Sequence, residues 1–376
     1  MSQHLSRRAV LTRTGLALAG SLYRLKGAAC EGGVDISTPL KVHASRKGLL
    51  FGSAASQRYL KSDPAYAALF AQQCGVLVPE GELKWNVLRP TPDSYNFGPA
   101  DWMYEFTRTH NLKFRGHTLA WWQALPGWFS SYANQGNARR LLEEHIATVV
   151  GRYSGKMHSW DVVNEVVDPY DKRADGLKTK PWLELAGPEY IDFSFQSARA
   201  ADPNALLVWN ENHLEINDTW SRGKRKALLS LLAEKLKRKI PIDAVGLQTH
   251  VSTTDPSFDN KEFKTFVRKI ADLGLRIIIS EIDVIDHDAP ANTSIRDEKV
   301  AGTYSNYLDL ILKEKQVIAV LTWGLSDKYS WLAKFKPRED GLPVRTLPFD
   351  DCLAGKKAFT AIANAFDWAP DRSPMG

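Results

Sequence analysis

Residues 276–283 read Arg-Ile-Ile-Ile-Ser-Glu-Ile-Asp. The first half is a continuous apolar run, the pattern of a parallel strand buried on both faces. The second half carries two carboxylates, Glu281 and Asp283, which a buried strand tolerates only where they are paired or put to use. The same pattern recurs in Trp160-Asp-Val-Val-Asn-Glu165 and, with an aromatic end, in Val317-Ile-Ala-Val-Leu-Thr-Trp323.

Outward from these stretches, short β-rich runs alternate with longer amphipathic ones, which argues for βαβ units. About eight such units fit the chain, with strands expected at 49–55, 76–84, 113–121, 159–166, 206–211, 244–250, 276–283 and 317–325. Expected helices include 138–153 and 224–240, the latter with Leu228, Leu232, Leu236 and Ile240 on one face. The chain is therefore read as α/β, a single (β/α)8 TIM barrel with its active site at the C-terminal ends of the strands. An open doubly wound sheet would carry a Gly-rich phosphate loop after its first strand, and none follows residue 55. No Pro/Gly/Ser-rich linker divides residues 36–370, which are taken as one catalytic domain.

Strand after strand ends in polar or aromatic residues: Glu80, Glu82 and Lys84; His117 and Trp121; Asn164 and Glu165; Asn210 and Glu211; Gln248 and His250; Glu281 and Asp283; Trp323. Barrel active sites are built at such ends. Alternate residues of a strand share a face, so Asp161, Val163 and Glu165 point together, as do Gln248 and His250, and Glu281 and Asp283. Glu165 and Glu281 can both face the barrel mouth. Asn164 reaches it only if its strand bulges or turns.

Apolar residues at 44% and charged residues at 24% are the balance of a soluble globular chain. The twelve Trp offer flat faces suited to stacking on sugars. The net charge of +6 is concentrated at the start, because Arg7, Arg8, Arg13, Arg24 and Lys26 precede any acid; without them 44 bases stand against 43 acids. So even a balance leaves no electrostatic footprint for nucleic acid. The local run Arg222-Gly-Lys-Arg-Lys226 is read as a solvated helix start. Ser6-Arg-Arg-Ala-Val-Leu11 sets paired arginines before an apolar stretch too short to span a membrane. Residues 1–35 are accordingly expected to be a twin-arginine export signal with a short linker, and the protein to be secreted or periplasmic, with no membrane segment. Cys30, Cys74 and Cys352 lack metal-ligand spacing. With Cys30 at the edge of the leader, Cys74 and Cys352 form a pair that sequence neither demands nor forbids. There is no G-x-S-x-G, Walker loop, H-E-x-x-H or C-x-x-C, so no metal or cofactor is expected.

From Leu49 to Phe366 the chain resembles glycoside hydrolase family 10, the barrel-type endo-β-1,4-xylanases. The resemblance is carried, in order, by Pro79-Glu-Gly-Glu-Leu-Lys-Trp85, Arg115-Gly-His-Thr-Leu119, Trp160-Asp-Val-Val-Asn-Glu165, Gln248-Thr-His250, Ser280-Glu-Ile-Asp283, Thr322-Trp-Gly324 and Trp331. It implies cleavage of internal xylan bonds with retention of the anomer, Glu165 being the acid/base and Glu281 the nucleophile. It also implies that Lys84, His117, Trp121, Asn164, Gln248, Trp323 and Trp331 surround the sugar at the cleavage point. His250, with Asp283 behind it, would donate to Glu281, and Glu80 would reach the next sugar on the non-reducing side. Gly81, Trp122 and Asn212 depart from the family's common Asn, His and Tyr, and leave both catalytic carboxylates intact. The expected partner is xylan or xylo-oligosaccharide, bound by a monomer. Alternatives are the same chemistry on short xylo-oligosaccharides, aryl xylosides or β-1,4-glucan, or a non-catalytic polysaccharide-binding protein.

Overall fold

In the computed structural model the apolar runs close into a barrel: β1 (Leu50–Ala55), β2 (Val76–Pro79), β3 (Lys113–Gly116), β4 (Ser159–Asn164), β5 (Leu206–Glu211), β6 (Ala244–Leu247), β8 (Arg276–Ile285) and β9 (Val317–Thr322). A short β7 (His250–Ser252) runs beside the end of β8. All pairings are parallel, and the barrel is closed by β1 on β9 (Gly52 opposite Leu321) and by β6 on β8 (Gly246 opposite Ile278). The structure describes residues 33–255, 258 and 261–372. The expected export signal, 1–35, lies outside them but for its last three residues.

Between the strands run α1 (Pro64–Gln73), α2 (Gly98–Thr109), α3 (Ala138–Arg152), α4 (Tyr190–Ala201), α5 (Thr219–Lys237), α6 (Lys261–Asp272), α7 (Thr293–Ile311) and α8 (Lys357–Trp368). Their starts follow local chemistry. Asp63 accepts from the N–H groups of Ala65 and Tyr66 just ahead of Pro64, and Asp218 accepts from that of Ser221, satisfying donors that a first turn leaves unpaired. The larger core lies between helices and outward strand faces, joining Phe70, Ile146 and Leu232 to Leu77, Trp209 and Ile279. A smaller cluster of Val76, Val78, Val208, Ile278 and Leu321 comes from the alternate strand residues that point into the barrel. No helix of the described residues is long and apolar enough to cross a membrane.

Several strands are shorter than expected, β4 ending at Asn164 and β9 at Thr322 among them. β2 ends at Pro79, because Glu82 folds back to accept from Ser56 Oγ (2.9 Å) and the Gln57 N–H (2.6 Å), and Lys84 precedes the helical turn Trp85–Leu88. β3 ends at Gly116 and returns to β4 only as a bridge from Ala120 to Val163. The sixth strand breaks at Leu247, since Thr249 turns to a φ of 64° and gives its N–H to buried Glu215 (3.0 Å). The basic run is only half solvated. Arg222 and Lys226 are exposed, whereas Lys224 and Arg225 are buried on the inner face of α5. Cys74 is a free, buried thiol and so does not pair with Cys352.

At Gly52 a Cβ would overlap the Val76 carbonyl of the neighbouring strand, a backbone atom that cannot swing aside. Gly52→Ala should lower the unfolding free energy by about 2 kcal/mol or more, read as a fall in the urea midpoint. An unchanged midpoint would show that β1 and β2 spread freely there.

Candidate active site

Glu281 on β8 is buried at the barrel mouth. Its Oε1 accepts from Asn210 Nδ2 (2.8 Å) and its Oε2 faces His250 Nε2 (3.3 Å). The other ring nitrogen of His250 faces Asp283 Oδ1 (2.9 Å), and Asp283 Oδ2 accepts from Trp331 Nε1 (2.7 Å). An imidazole with a carboxylate on each nitrogen donates at both. Burial works against the charge of His250, but Asp283 and Glu281 hold its pKa well above the ordinary histidine value. Burial likewise works to raise the pKa of Glu281, yet the His250 hydrogen bond, the neighbouring His117 and the Asn210 amide hold it down to about 2.

Glu165 follows the last residue of β4. The β4–β5 register slips between Asp161 and Val163, and Glu165 itself takes a left-handed φ of 54°. These two departures supply the turn that parity required, and both Asn164 and Glu165 line the cleft. The exit is pinned by backbone: Asn164 N–H donates to the Ala120 carbonyl (3.0 Å) and Glu165 N–H to that of Asn210 (3.0 Å). Glu165 Oε2 accepts from Trp121 Nε1 (3.1 Å) and Oε1 from Gln248 Nε2 (3.2 Å). The same Gln248 nitrogen reaches Asn164 Oδ1 (3.2 Å), to which Asn210 Nδ2 also donates (2.8 Å). A continuous line of side-chain amides thus joins the two glutamates. Its direction is set by Ser280 Oγ, which donates to Asn210 Oδ1 (2.6 Å).

The two carboxylates open on a cleft of about 930 Å³, a size ordinary for a ligand site. Glu80, Lys84, His117, Trp121, Asn164, Gln248, His250, Trp323 and Trp331 line it, and Asp283 sits behind. Lys84 Nζ lies 5.0 Å from the Trp121 ring and 5.6 Å from Trp323. Burial lowers its pKa, against the pull of Glu281, Glu80 and Glu165. Burial raises the pKa of Glu80, which Lys84 opposes. Below the floor, Asp161 is buried between Arg115 and His117 Nδ1 (3.0 Å) and so orients the His117 ring. Arg58, Tyr59, His213 and Phe335 also line the cleft. They sit beyond the strand ends, Arg58 and Tyr59 in the short helix Gln57–Ser62 and Phe335 in Leu332–Phe335, where strand alternation says nothing about direction; Phe335, stacked 4.7 Å from Trp331, has no signal in sequence beyond being aromatic.

Of the three departing positions, Gly81 and Asn212 lie in the cleft wall, and a Cβ on Gly81 would meet open space. The Asn212 side-chain oxygen is taken by Lys224. Trp122 is not in the wall; Lys178 and Lys180 lie 4.8 and 5.0 Å from its ring. Among the described residues, Asp350, Asp351 and Cys352 stand close together outside the cleft, but Cys352 is disulfide-bonded and offers no thiolate to a metal.

Residues 39–365 match the model of glycosyl hydrolase family 10. The chain is similar to a β-1,4-xylanase of Dictyoglomus thermophilum, 34% identical over 305 residues that cover 79% of this chain and 83% of that one. It is likewise similar to endo-1,4-beta-xylanase B of Thermotoga neapolitana, 31% identical over 303 residues covering 79% and 84%. Among solved structures, xylanase 10B from Thermotoga petrophila RKU-1 in complex with xylobiose superposes with a TM-score of 0.80 at 30% identity, over 88% of this chain and 97% of that one.

A folded-state pKa near 2, below the ordinary 4.5, means that the folded protein binds the Glu281 proton less tightly than the unfolded chain does. The stability that follows is complete above about pH 4.5 and is lost as pH falls toward about 2. The unfolding free energy of the protein, minus that of Glu281→Gln, should shrink across this window in denaturant titrations at stepped pH. A constant difference would show that these contacts do not keep Glu281 ionised.

Proposed function

The chain belongs to glycosyl hydrolase family 10, and on that premise we propose that Glu165 and Glu281 cut internal β-1,4-xylosidic bonds by a retaining double displacement. The protein is a glycoside hydrolase, an endo-1,4-β-xylanase. Glu165 gives its proton to the interglycosidic oxygen while Glu281 attacks the anomeric carbon from the opposite face. The C1–O bond breaks, the leaving sugar departs with the proton, and a glycosyl ester of Glu281 remains. Glu165 then takes a proton from water, which attacks C1 and frees Glu281.

The observation that carries this division of roles is the contrast between the two carboxylates. Glu281 is held by a histidine with a carboxylate on each nitrogen and by an amide, partners that favour the anion. The hydrogen-bond partners of Glu165 are the neutral N–H groups of Trp121 and Gln248. Asn164 Oδ1 is committed to Asn210 and Gln248, which leaves its NH2 to donate to a sugar hydroxyl. Lys84, His117, Trp323 and Trp331 complete the wall around that sugar, and Glu80 lies toward its neighbour. The xylobiose bound to the Thermotoga petrophila protein supports a xylo-oligosaccharide in this cleft. The arginine pair in Ser6-Arg-Arg-Ala-Val-Leu11 supports export to the periplasm or medium.

Incubation with an activated 2-fluoro xylobioside, followed by peptide mass mapping, should place the label on Glu281. Glu281→Gln should cleave no xylan, and proton NMR of early products of the unaltered enzyme should show the β-anomer first. A label elsewhere, or α-anomer appearing first, would overturn the assignment.

A further inference from the structure

We propose that Glu211, in a fully buried pair with Lys224, is a positioning residue for Glu165: it holds the turn that aims the acid/base at the leaving oxygen. The inference rests on the acid/base role given to Glu165 above.

The need arises from backbone geometry. With Glu165 at a φ of 54° the chain leaves the sheet, and the N–H groups of Val166 and Val167 turn away from the β5 ladder. Two consecutive buried donors then require an acceptor. Glu211 Oε1 takes both, at 2.8 Å from Val166 N and 3.0 Å from Val167 N, and also accepts from Trp209 Nε1 (3.2 Å). Its Oε2 lies 2.9 Å from Lys224 Nζ, both side chains being 0% exposed. Lys224 comes from α5 and also donates to the Asn212 carbonyl (3.0 Å) and side-chain oxygen, so the exits of β4 and β5 are fastened to one charge pair.

Apolar residues of similar volume often serve a fold as well as a buried ion pair or better. What apolar residues do not supply is an acceptor for two adjacent N–H groups, and a carboxylate makes those bonds strong and directional. A proton donor must be set within a fraction of an ångström of the glycosidic oxygen, and the two residues after Glu165 are where that placement is enforced.

The test compares a substrate that needs the proton with one that does not. Glu211→Gln keeps the shape and removes the charge. Glu211→Asp keeps a negative charge beside Lys224 while withdrawing the oxygen from the N–H groups. Reactive sites are counted by 2-fluoro xylobioside labelling, so unfolded material does not enter the rates. For either variant, kcat/KM on xylohexaose should fall about a hundredfold, and kcat/KM on 2,4-dinitrophenyl β-xylobioside by no more than about threefold. Azide, which attacks the glycosyl ester without a base, should speed turnover of the aryl substrate by the variants and not by the unaltered enzyme. Equal losses on both substrates, or no loss on xylohexaose, would overturn the inference. If the unaltered enzyme fails to turn over the aryl xylobioside, it is the xylanase assignment that fails instead.

Discussion

At the side-chain amide of Asn210 four strands meet. It stands in register with Asn164 of β4 and Gly246 of β6, donates to Asn164 and to Glu281 of β8, and accepts from Ser280 of β8. The group is wholly buried, where an unmade hydrogen bond is expensive, so its rotation is not free. Gly246 is part of the same constraint, because a Cβ there would collide with the Asn210 amide. Once the amide is fixed, Asn164 presents its oxygen inward and Glu281 has one oxygen occupied. The position of Glu281 follows from these cross-strand contacts, whereas that of Glu165 depends also on the turn that leaves β4.

How much of this is written in the sequence depends on which physical rule governs each residue. Glu281 and Asp283 share a face as alternation expects, although the β8–β9 register slips between Ile279 and Ile282. Asn164 and Glu165 lie where the strand stops being regular; alternation separates them, and a register slip together with a left-handed residue brings both to the cleft. The barrel itself was legible because apolar runs of strand length recur between amphipathic stretches. Strand ends at Pro79, Gly116 and Leu247 were not, since each is set by a tertiary contact or turn that competes with the ladder. Lys224 shows the limit most plainly: among Arg222, Arg225 and Lys226 it looks like solvated charge, and nothing nearby in sequence announces that its partner is Glu211.

Charge inside this barrel is handled in small closed sets. Arg115, Asp161 and His117 form one, Asp283, His250 and Glu281 another, and Glu211 with Lys224 a third. Each includes or touches a residue next to the cleft. In a medium of low polarizability such sets persist only when nearly every donor and acceptor is matched, so each permits few geometries. Trp331 and Trp121 join them through indole N–H groups bonded to Asp283 and Glu165. The flat walls of the cleft are thereby oriented by the same charged groups.

Glu165 occupies a backbone conformation that glycine and asparagine adopt readily and that a glutamate adopts at a penalty of roughly 1 kcal/mol. The sequence therefore keeps at this position a residue the fold would exchange. A duplicated copy of this gene freed from the demand for catalysis would gain stability by drifting to glycine there. The loss would be hard to retrace, because the return step is both destabilising and useless until the turn beneath it is intact. Under the role proposed for Glu165, decay of activity in such a lineage would begin there, while the barrel, the amide line and the cleft wall stayed in place.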